Sequence, residues 1–414
     1  MLGIPRGVAT HFQVFSVLSS PDFRKFWIGS LGSVTGFQIF LLAQGWLIYD
    51  ITGSKLYIGY IGLASGIPAI CLNLLGGVIA DKINQRKLIV VTQITSSFLM
   101  FILATLTLLD MVNVLHMMVI SFALGCTQAF DGPTRQALFP RLIDRKDMVN
   151  AVALNAMVWQ GTRVFGPALG GVIIGTRFGI APGFYVAFVG FLIMALMMFV
   201  LRISPQKPEV SRSFFADMLQ GIKFVWNNAT FRFLIGMTFF NSIFGMSYVF
   251  LLPVFAKDVF DAGTTGLGLL SAFSGIGALL GTFITASLSN YKSRGVLLLT
   301  GSVLFGVFLI LFSTSGVLFS SLTIGLVLMF LIGVSNSLYM ITIMGTLQSL
   351  VPNELRGRVM GIYGMTYSML PLGAMQSGAI AEYTSVSHAV ALGGFVVILF
   401  AVGMILTNKD LRNL

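Results

Sequence analysis

Charged side chains are rare in this sequence, so those that interrupt its apolar runs are the first candidates for function. Only 9% of the 414 residues are charged, whereas a soluble domain carries about 25%. One group lies between two long uncharged runs and comprises Gly77, Asp81, Lys82, Arg86 and Lys87. The chemistry that this group offers is ionic. The acidic side chain can meet the positive N-terminus of a neighbouring helix, and the basic ones can hold a loop on one side of a membrane.

Two further ionisable groups lie inside apolar runs. Asp131 and Arg135 are four residues apart, which places them on one helix face and predicts a local ion pair. Arg163 lies well inside another run, where a charge costs about 2.5–3.5 kcal/mol on insertion scales and needs a cavity or a partner. Together with Asn155 and Trp159, it forms a stripe of residues spaced four apart. This stripe predicts either contact with a substrate or anion, or a structural arginine paired with Asp131 or with helix carbonyls.

The sequence lacks the residue sets that covalent catalysis needs. It contains only three histidines, and no Ser-His-Asp set, His-Glu-x-x-His motif or aspartate cluster lies in the apolar runs. No Walker sequence is present, so ATP hydrolysis by this chain is not expected. Cys71 and Cys126 both lie in apolar runs and have no further cysteines with which to form a metal site. We therefore expect neither an enzyme nor a bound metal or cofactor.

The elements that must position these residues are long apolar segments. Hydrophobic residues make up 56% of the chain and the mean hydropathy is +0.92, so the chain cannot cover a water-facing surface. Each segment is close to the roughly 20 residues with which a helix spans a bilayer. The sequence predicts twelve such spans: 26–49, 56–80, 88–110, 114–134, 151–174, 182–201, 231–256, 264–289, 295–314, 318–347, 359–381 and 386–407.

The basic residues are distributed unevenly between the loops and predict the orientation of these helices. With both termini cytoplasmic, the outer loops contain only Lys55, Arg177 and Lys257, and nearly all other Lys and Arg residues fall inside. The net charge of +11 is thereby explained by membrane topology and not by a nucleic-acid partner. We expect a monomeric, multi-pass protein of a bacterial inner membrane. "Inner" and "outer" below refer to this predicted orientation.

Short motifs recur in the two halves of the chain. Phe23 and Phe231, each followed by Arg, open corresponding segments, and Ser-Gly-Ile and Gln-x-Leu-x-Pro sequences recur at nearly the same interval. A common interval predicts two six-helix bundles of the same orientation. The predicted domains are residues 1–201, a cytoplasmic linker with an amphipathic helix at 202–230, and residues 231–414.

The loop stretch from Gly77 to Lys87 resembles the loop 2–3 signature of the major facilitator superfamily, with Asn84 where that family usually has Gly. An asparagine also tolerates the left-handed backbone of such a turn. The stretches Ala129–Pro140 and Trp46–Ser54 resemble the enterobactin-exporter branch of the superfamily. The resemblance implies an all-α major facilitator fold with two parallel-repeat bundles and transport by alternating access.

Two site assignments follow from this resemblance. The first is an inner gate latch that joins Asp81, Arg86, Asp131 and Arg135. The second is a resemblance to the fifth-helix signature of drug and metabolite exporters, carried by Gly166, Pro167, Gly170 and Gly171. Small residues at this spacing let helices pack closely in lipid, and ordinary packing is therefore the alternative interpretation. An importer of a small metabolite on the same fold is the alternative function.

Polar and aromatic residues within the segments are candidates for the substrate cavity, with interhelical hydrogen bonding as the alternative role. Besides the stripe on the fifth segment, these candidates are Gln38, Gln44, Gln128, Asn241, Tyr248, Asn336, Tyr339, Tyr363, Tyr367 and Gln376. Coupling to protons needs a buried carboxylate, and Asp50 and Asp131 are the candidates, with anchoring at the membrane interface as the alternative. The leading expectation is a proton-coupled exporter of a small, fairly apolar molecule such as a siderophore or drug.

Overall fold

A computed structural model describes residues 15–144, 147–201, 214–288, 294–352 and 354–407. Almost all of these residues are helical. The helices are α1 (Pro21–Thr52), α2 (Lys55–Lys82), α3 (Gln85–Leu108), α4 (Val114–Leu138), α5 (Met148–Ile174), α6 (Ala181–Val200), α7 (Phe214–Asn227), α8 (Ala229–Phe240), α9 (Tyr248–Val254), α10 (Gly263–Ser287), α11 (Arg294–Phe319), α12 (Leu322–Leu350), α13 (Arg356–Tyr367), α14 (Leu370–Tyr383) and α15 (Val386–Thr407). Short 3₁₀ turns cover Ser16–Ser19 and Phe139–Leu142.

Ten helical stretches of the described chain are long and apolar enough to cross a membrane, and each coincides with a predicted span. The two other predicted spans are also helical. One is α5, whose 27 residues extend about 40 Å at about 1.5 Å per residue. The other consists of α13 and α14 in succession. The helical segments are therefore consistent with twelve spans, and the protein is an all-α membrane protein.

Three predicted segments differ from the helices that form. The seventh, predicted as continuous over 231–256, contains π-helical turns at Asn241–Gly245 and Phe255–Val259. Such turns insert an extra residue and often occur at functional sites. The eleventh breaks after Tyr367, and Pro371 lies in the first turn of α14, where its missing N–H is not needed. The long tenth segment begins only at Leu322, because Ser320 has a positive φ of 45° that ends α11.

The described helices form two compact units. The first unit contains the described residues within 1–44 and 71–210, and the second contains those within 45–70 and 211–414. Helices α1 and α2 therefore contribute their inner parts to the first unit and the hairpin 45–70 to the second. This hairpin is where the compact units depart from the predicted division into halves.

Helix α7 of the predicted linker packs within the second unit. Its Gly221 lies against the side chain of Arg358 on α13, and Val225 is buried in the core of this unit. Leu219, Ile222 and Trp226 remain exposed on the same helix. One face of the amphipathic helix is therefore covered by protein, and the contact of its other apolar residues with a membrane surface stays a prediction.

Close backbone contact holds α1 against α6 in the first unit. Gly32 on α1 and Gly190 on α6 approach so closely that a Cβ on Gly190 would meet the carbonyl oxygen of Gly32. At the inner end, Phe23, Leu138 and Met198 are fully buried in a common core cluster. Small residues at the crossing and large ones at the end fix the helices that surround the site described next.

Candidate substrate cavity and its ion pairs

The first unit contains a cavity of about 350 Å³ between helices α1, α4, α5 and α6. Its lining combines flat aromatic rings with polar groups. The aromatic part consists of Phe26, Phe37, Phe139, Trp159 and Phe191, and the polar part of Ser30, Ser33, Gln128, Asp131, Arg135, Gln136 and Asn155. Predominantly apolar walls with a few placed polar groups are typical of small-molecule sites.

Helical spacing explains how each helix contributes to this cavity. On α1, Ser30, Ser33 and Phe37 recur at intervals of three and four residues and so share one face. On α5, Asn155 and Trp159 are four apart, as predicted for the polar stripe. The serines, the phenylalanines and Gln136 are lining residues that sequence reasoning missed. For those on α1, the spacing was the available signal, but it does not distinguish a cavity-facing helix face from a packed one.

A buried ion pair forms the polar end of the cavity. Arg135 Nε donates to Asp131 Oδ2 at 2.6 Å, and only 12% and 5% of the two side chains are exposed. Thr92 Oγ1 donates to Asp131 Oδ1 at 3.1 Å, and Arg135 also donates to Ser33 Oγ at 3.0 Å and Ser30 Oγ at 3.5 Å. A buried pair is stable only when such additional hydrogen bonds satisfy its remaining atoms. The pair expected from the spacing of these residues is thus present.

A proline and a glycine position α4 beside this pair. Pro133 lies inside α4 and has no N–H, so the carbonyl of Ala129 one turn earlier loses its helical donor. Gly76 of α2 packs directly on this carbonyl, in a space that a Cβ would fill. The approach of α2 to α4 therefore requires a glycine at this position.

Contacts with α1 position α5 along its length. At its inner part, Trp27 Nε1 donates to the carbonyl of Leu154 at 3.1 Å. Further along, a Cβ on Gly166 would lie 2.7 Å from Gln38 Cβ, and Gly170 packs on Ile39. All four residues of the predicted glycine–proline motif, Gly166, Pro167, Gly170 and Gly171, are buried. The motif therefore serves close packing of α5 on α1, and its relation to transport direction stays a prediction.

Arg163 lies between these contacts and the cavity. Its side chain is half-buried and forms no hydrogen bond or ion pair with any residue that the structure describes. Asp131 is occupied by Arg135. The alternative in which Arg163 pairs with Asp131 is therefore not what the structure shows.

Arg86 and Lys87 of the loop 2–3 stretch make contacts that are separate from the Asp131–Arg135 pair. Arg86 donates to the carbonyl of Met198 at 2.9 Å and to that of Phe199, so it caps the C-terminus of α6. Lys87 is exposed, and its N–H donates at 3.2 Å to Asn84, which caps α3. Asn84 has φ of −61°, so its backbone is extended and not left-handed. The side chains of Gly77, Asp81 and Lys82 lie outside the described residues, and the latch as a whole stays a prediction.

A second group of ionic contacts lies at the predicted outer end, within the second unit. Lys257 Nζ donates to Asp50 Oδ1 at 2.5 Å, with 38% and 47% of the two side chains exposed, and it also lies over two aromatic rings of α1. The hydroxyl of Tyr49 donates to Asp258. Glu382 accepts the first N–H groups of α2 at 2.7 and 3.4 Å. The sequence had given Asp258 and Glu382 no role, because nothing in their spacing shows that the hairpin 45–70 packs against them.

The other predicted cavity residues lie apart from the cavity of the first unit. Gln44 is buried and donates to Ser121, and so is a hydrogen-bonding residue between α1 and α4. In the second unit, the Tyr248 hydroxyl is 3.3 Å from that of Ser274, and Tyr363 and Tyr367 hydroxyls are 2.8 Å apart. These contacts are hydrogen bonds between helices or within one helix. Interhelical hydrogen bonding was the alternative role predicted for these residues.

Several buried polar groups of the second unit have no hydrogen-bond partner among the described residues. Among them are both amide atoms of Asn241, the amide oxygens of Asn336 and Gln376, and the hydroxyl of Tyr339. Asn241 begins the π-helical turn in the seventh predicted span. Unpartnered buried polar groups are rare and are often functional, so these residues stay candidates for substrate contact in the second unit.

The profile of the transmembrane secretion effector family, a family of the major facilitator superfamily, matches residues 12–414. The chain therefore belongs to this family of membrane transporters. The crystal structure of the nucleoside transporter NupG has the same fold and superimposes on this chain with a TM-score of 0.72 at 16% identity, covering 93% of this chain and 98% of that one. The predicted family resemblance is thus confirmed, and the protein is a transporter and not an enzyme.

Relatives of known name match nearly the whole chain. The staphyloferrin A transporter of Staphylococcus aureus is 25% identical over 93% of this chain and 93% of its own length. The multidrug efflux pump Tap of Mycolicibacterium fortuitum is 26% identical over 85% of this chain and 87% of its own. The enterobactin exporter EntS of Salmonella choleraesuis is 23% identical over 95% of this chain and 94% of its own. The predicted branch of siderophore and drug transporters is therefore the correct one.

Proposed function

We propose that this protein exports a small amphipathic molecule, a siderophore or a drug-like compound, by alternating access. The cavity of the first unit carries this proposal. Its rings suit a flat apolar body, and its amides and hydroxyls suit a few polar substituents. The direction is supported by the relatives, because a siderophore exporter and a drug efflux pump match it over nearly their full lengths.

Asp131 is the coupling residue in this proposal. It is a buried carboxylate that faces the cavity and is held by Arg135. Protonation of Asp131 would neutralise it and release Arg135, which changes the charge and shape of the cavity wall. Asp50, the other predicted candidate, is exposed and paired with Lys257 at the outer end, so its protonation would leave the cavity unchanged. In this proposal, protonation of Asp131 and the binding of a substrate in the cavity therefore affect one another.

The test is transport in cells that lack their own exporters. Cells that express the protein should retain less rhodamine 123 or release more catecholate siderophore than cells with an empty vector. An uncoupler that removes the proton gradient should abolish the difference. Asp131→Asn should also abolish it while the variant still binds substrate, because the amide keeps the shape of the carboxylate and cannot exchange a proton at neutral pH.

A pair of tryptophan variants separates the cavity from general effects. Trp159→Ala removes a ring of the cavity wall and should reduce export severely. Trp226→Ala removes an exposed tryptophan of α7, outside the cavity, and should leave export near wild type.

Equal retention of both compound classes with and without the protein would refute export, and gradient-driven accumulation inside the cells would establish an importer instead.

A further inference from the structure

Arg163 is a charge deep in the predicted membrane span of α5. It lies 15 residues after Met148, about 22 Å along a helix of about 40 Å at about 1.5 Å per residue. A charge at this depth is unfavourable unless it meets an opposite charge or water. Within the described chain, Arg163 forms no ion pair and no hydrogen bond, although it is half-buried. Arg163 is thus a cation inside a predicted span without a partner among the residues that the structure describes.

The exposure pattern of α5 shows which way this cation faces. Over the first part of the helix, the face that carries Val152, Ala156 and Trp159 is exposed, and Arg163 continues the same face at helical spacing. One turn later, the adjoining Gly166 is covered by Gln38 of α1. The exposed residues Phe165 and Leu169 further along the helix lie on a different face. Arg163 therefore lies at the end of the exposed face that includes Trp159, and not on the face of Phe165 and Leu169.

The cavity begins one turn away on this face. Trp159 and Asn155 both line it, and four residues separate Trp159 from Arg163, about 6 Å along the helix axis. The cavity's own cation, Arg135, already has its Asp131 carboxylate, and Arg86 is bound to the carbonyls at the end of α6. Among these three arginines of the first unit, Arg163 is the one with a guanidinium available to a ligand.

We propose that Arg163 binds the anionic group of the substrate, so that the substrate class is an amphipathic organic anion. The anionic group is a carboxylate or phenolate oxygen, which a guanidinium binds through two parallel hydrogen bonds. A flat ring of the same molecule stacks on Trp159, and its other polar groups meet Asn155. This assignment rests on the proposed function of the cavity and adds to it the charge of the compound.

The test compares two dyes that share a ring system and differ in charge. Carboxyfluorescein is an anion and rhodamine 123 is a cation. The affinity of the protein for each dye is measured by fluorescence polarisation. The purified wild-type protein in detergent should bind carboxyfluorescein more tightly. Arg163→Gln should weaken carboxyfluorescein about 10- to 100-fold, the range for a charged hydrogen bond, and leave rhodamine 123 unchanged. Arg163→Glu should reverse the preference, and Arg163→Lys should retain part of it.

Arg177→Gln is the matched control, because Arg177 is an exposed arginine at the outer end of the same unit and its removal should change neither affinity. The unfolding temperature of each variant without dye is measured first. A large decrease in Arg163→Gln would reveal a structural partner and would overturn the assignment. Equal weakening of both dyes, no effect on carboxyfluorescein, or no preference for the anion in the wild type would overturn it as well.

The same dyes separate this assignment from the proposed function. If the purified protein binds the anion through Arg163 but membrane vesicles that contain the protein expel neither dye, export is refuted and the anion site stands. If vesicles expel rhodamine 123 and Arg163→Gln expels both dyes as well as wild type does, export stands and the anion site is refuted.

Discussion

Removal of the carboxylate at Asp131 should destabilise the first unit, because it leaves a buried guanidinium without its counter-charge. In Asp131→Asn, Arg135 keeps its hydrogen bonds to Ser33 and Ser30 but loses the 2.6 Å ion pair. Breaking a buried pair on one side costs about 3–5 kcal/mol. We expect the lower end of this range, since the hydroxyls and the new amide oxygen still accept from Arg135.

This free energy converts to a measurable temperature shift. At about 2.1 cal/mol/K per residue, a 414-residue chain has an unfolding entropy of about 0.9 kcal/mol/K, so a loss of 3 kcal/mol lowers the midpoint by about 3–4 °C. The assay is thermal unfolding of the purified protein in detergent, followed by circular dichroism. The double variant Asp131→Asn with Arg135→Gln leaves a neutral amide pair of similar shape and should recover at least half of the loss.

Asp50→Asn provides the control, because it breaks an ion pair that is 38% and 47% exposed. Exposed pairs contribute about 0–1 kcal/mol, so its midpoint should fall by about 1 °C or less. If Asp131→Asn shifts the midpoint no more than Asp50→Asn does, the buried pair does not stabilise the fold. The same conclusion holds if the double variant loses as much stability as Asp131→Asn and Arg135→Gln lose together.

Three further predictions follow from particular contacts. Gly166→Val should destabilise α5 by about 1–3 kcal/mol, because the valine side chain would meet Gln38. A Gln38→Gly background should relieve this loss. An unchanged unfolding midpoint in Gly166→Val alone would contradict the close packing of α5 on α1. Tyr49→Phe removes the hydroxyl that donates to the Asp258 carboxylate and should lower the free energy of unfolding by about 1–3 kcal/mol, measured by the same unfolding assay. A variant as stable as wild type would mean that this hydrogen bond contributes nothing to stability. For orientation, a cysteine at exposed Thr176 should react with an impermeant maleimide in intact cells and one at exposed Gln220 should not, whereas the opposite pattern would invert the topology.

The outer-end contacts show where sequence reasoning stopped. Asp258 and Glu382 were recognisable as charges at helix ends, and Lys257 as a basic residue of an outer loop. Their pairing with the hairpin 45–70 depends on which helices pack against it: α1 meets Pro253 of α9 at Gly45, and α2 meets the backbone of Met375 of α14 at Gly59. The paired residues are more than two hundred residues apart at α1 and more than three hundred at α2, and no local pattern encodes which distant helices meet.

The breaks in the seventh and eleventh spans are a second example. Apolar composition predicts a continuous helix over both segments, since composition reports only on burial in lipid. The π-helical turn that begins at Asn241 instead forms where this helix packs beside Gly373 of α14 and Gly393 of α15, whose lack of a Cβ lets the backbone of the turn approach closely. Local sequence is compatible with either geometry, and tertiary packing selects one.

The sequence by itself determined the membrane class, the number and order of apolar segments, the family and the local Asp131–Arg135 pair. The family follows from the resemblance of short motifs, and the other properties follow from composition and helical spacing, which act over a few residues and need no knowledge of distant contacts. Only the tertiary structure decided that Ser30, Ser33 and Thr92 complete that pair, that Arg86 caps α6, and that Arg163 has no partner among the described residues. The physical reason is that a polar group in a membrane is satisfied by whichever helix lies next to it, and the neighbours of a helix are set by packing and not by the chain on either side.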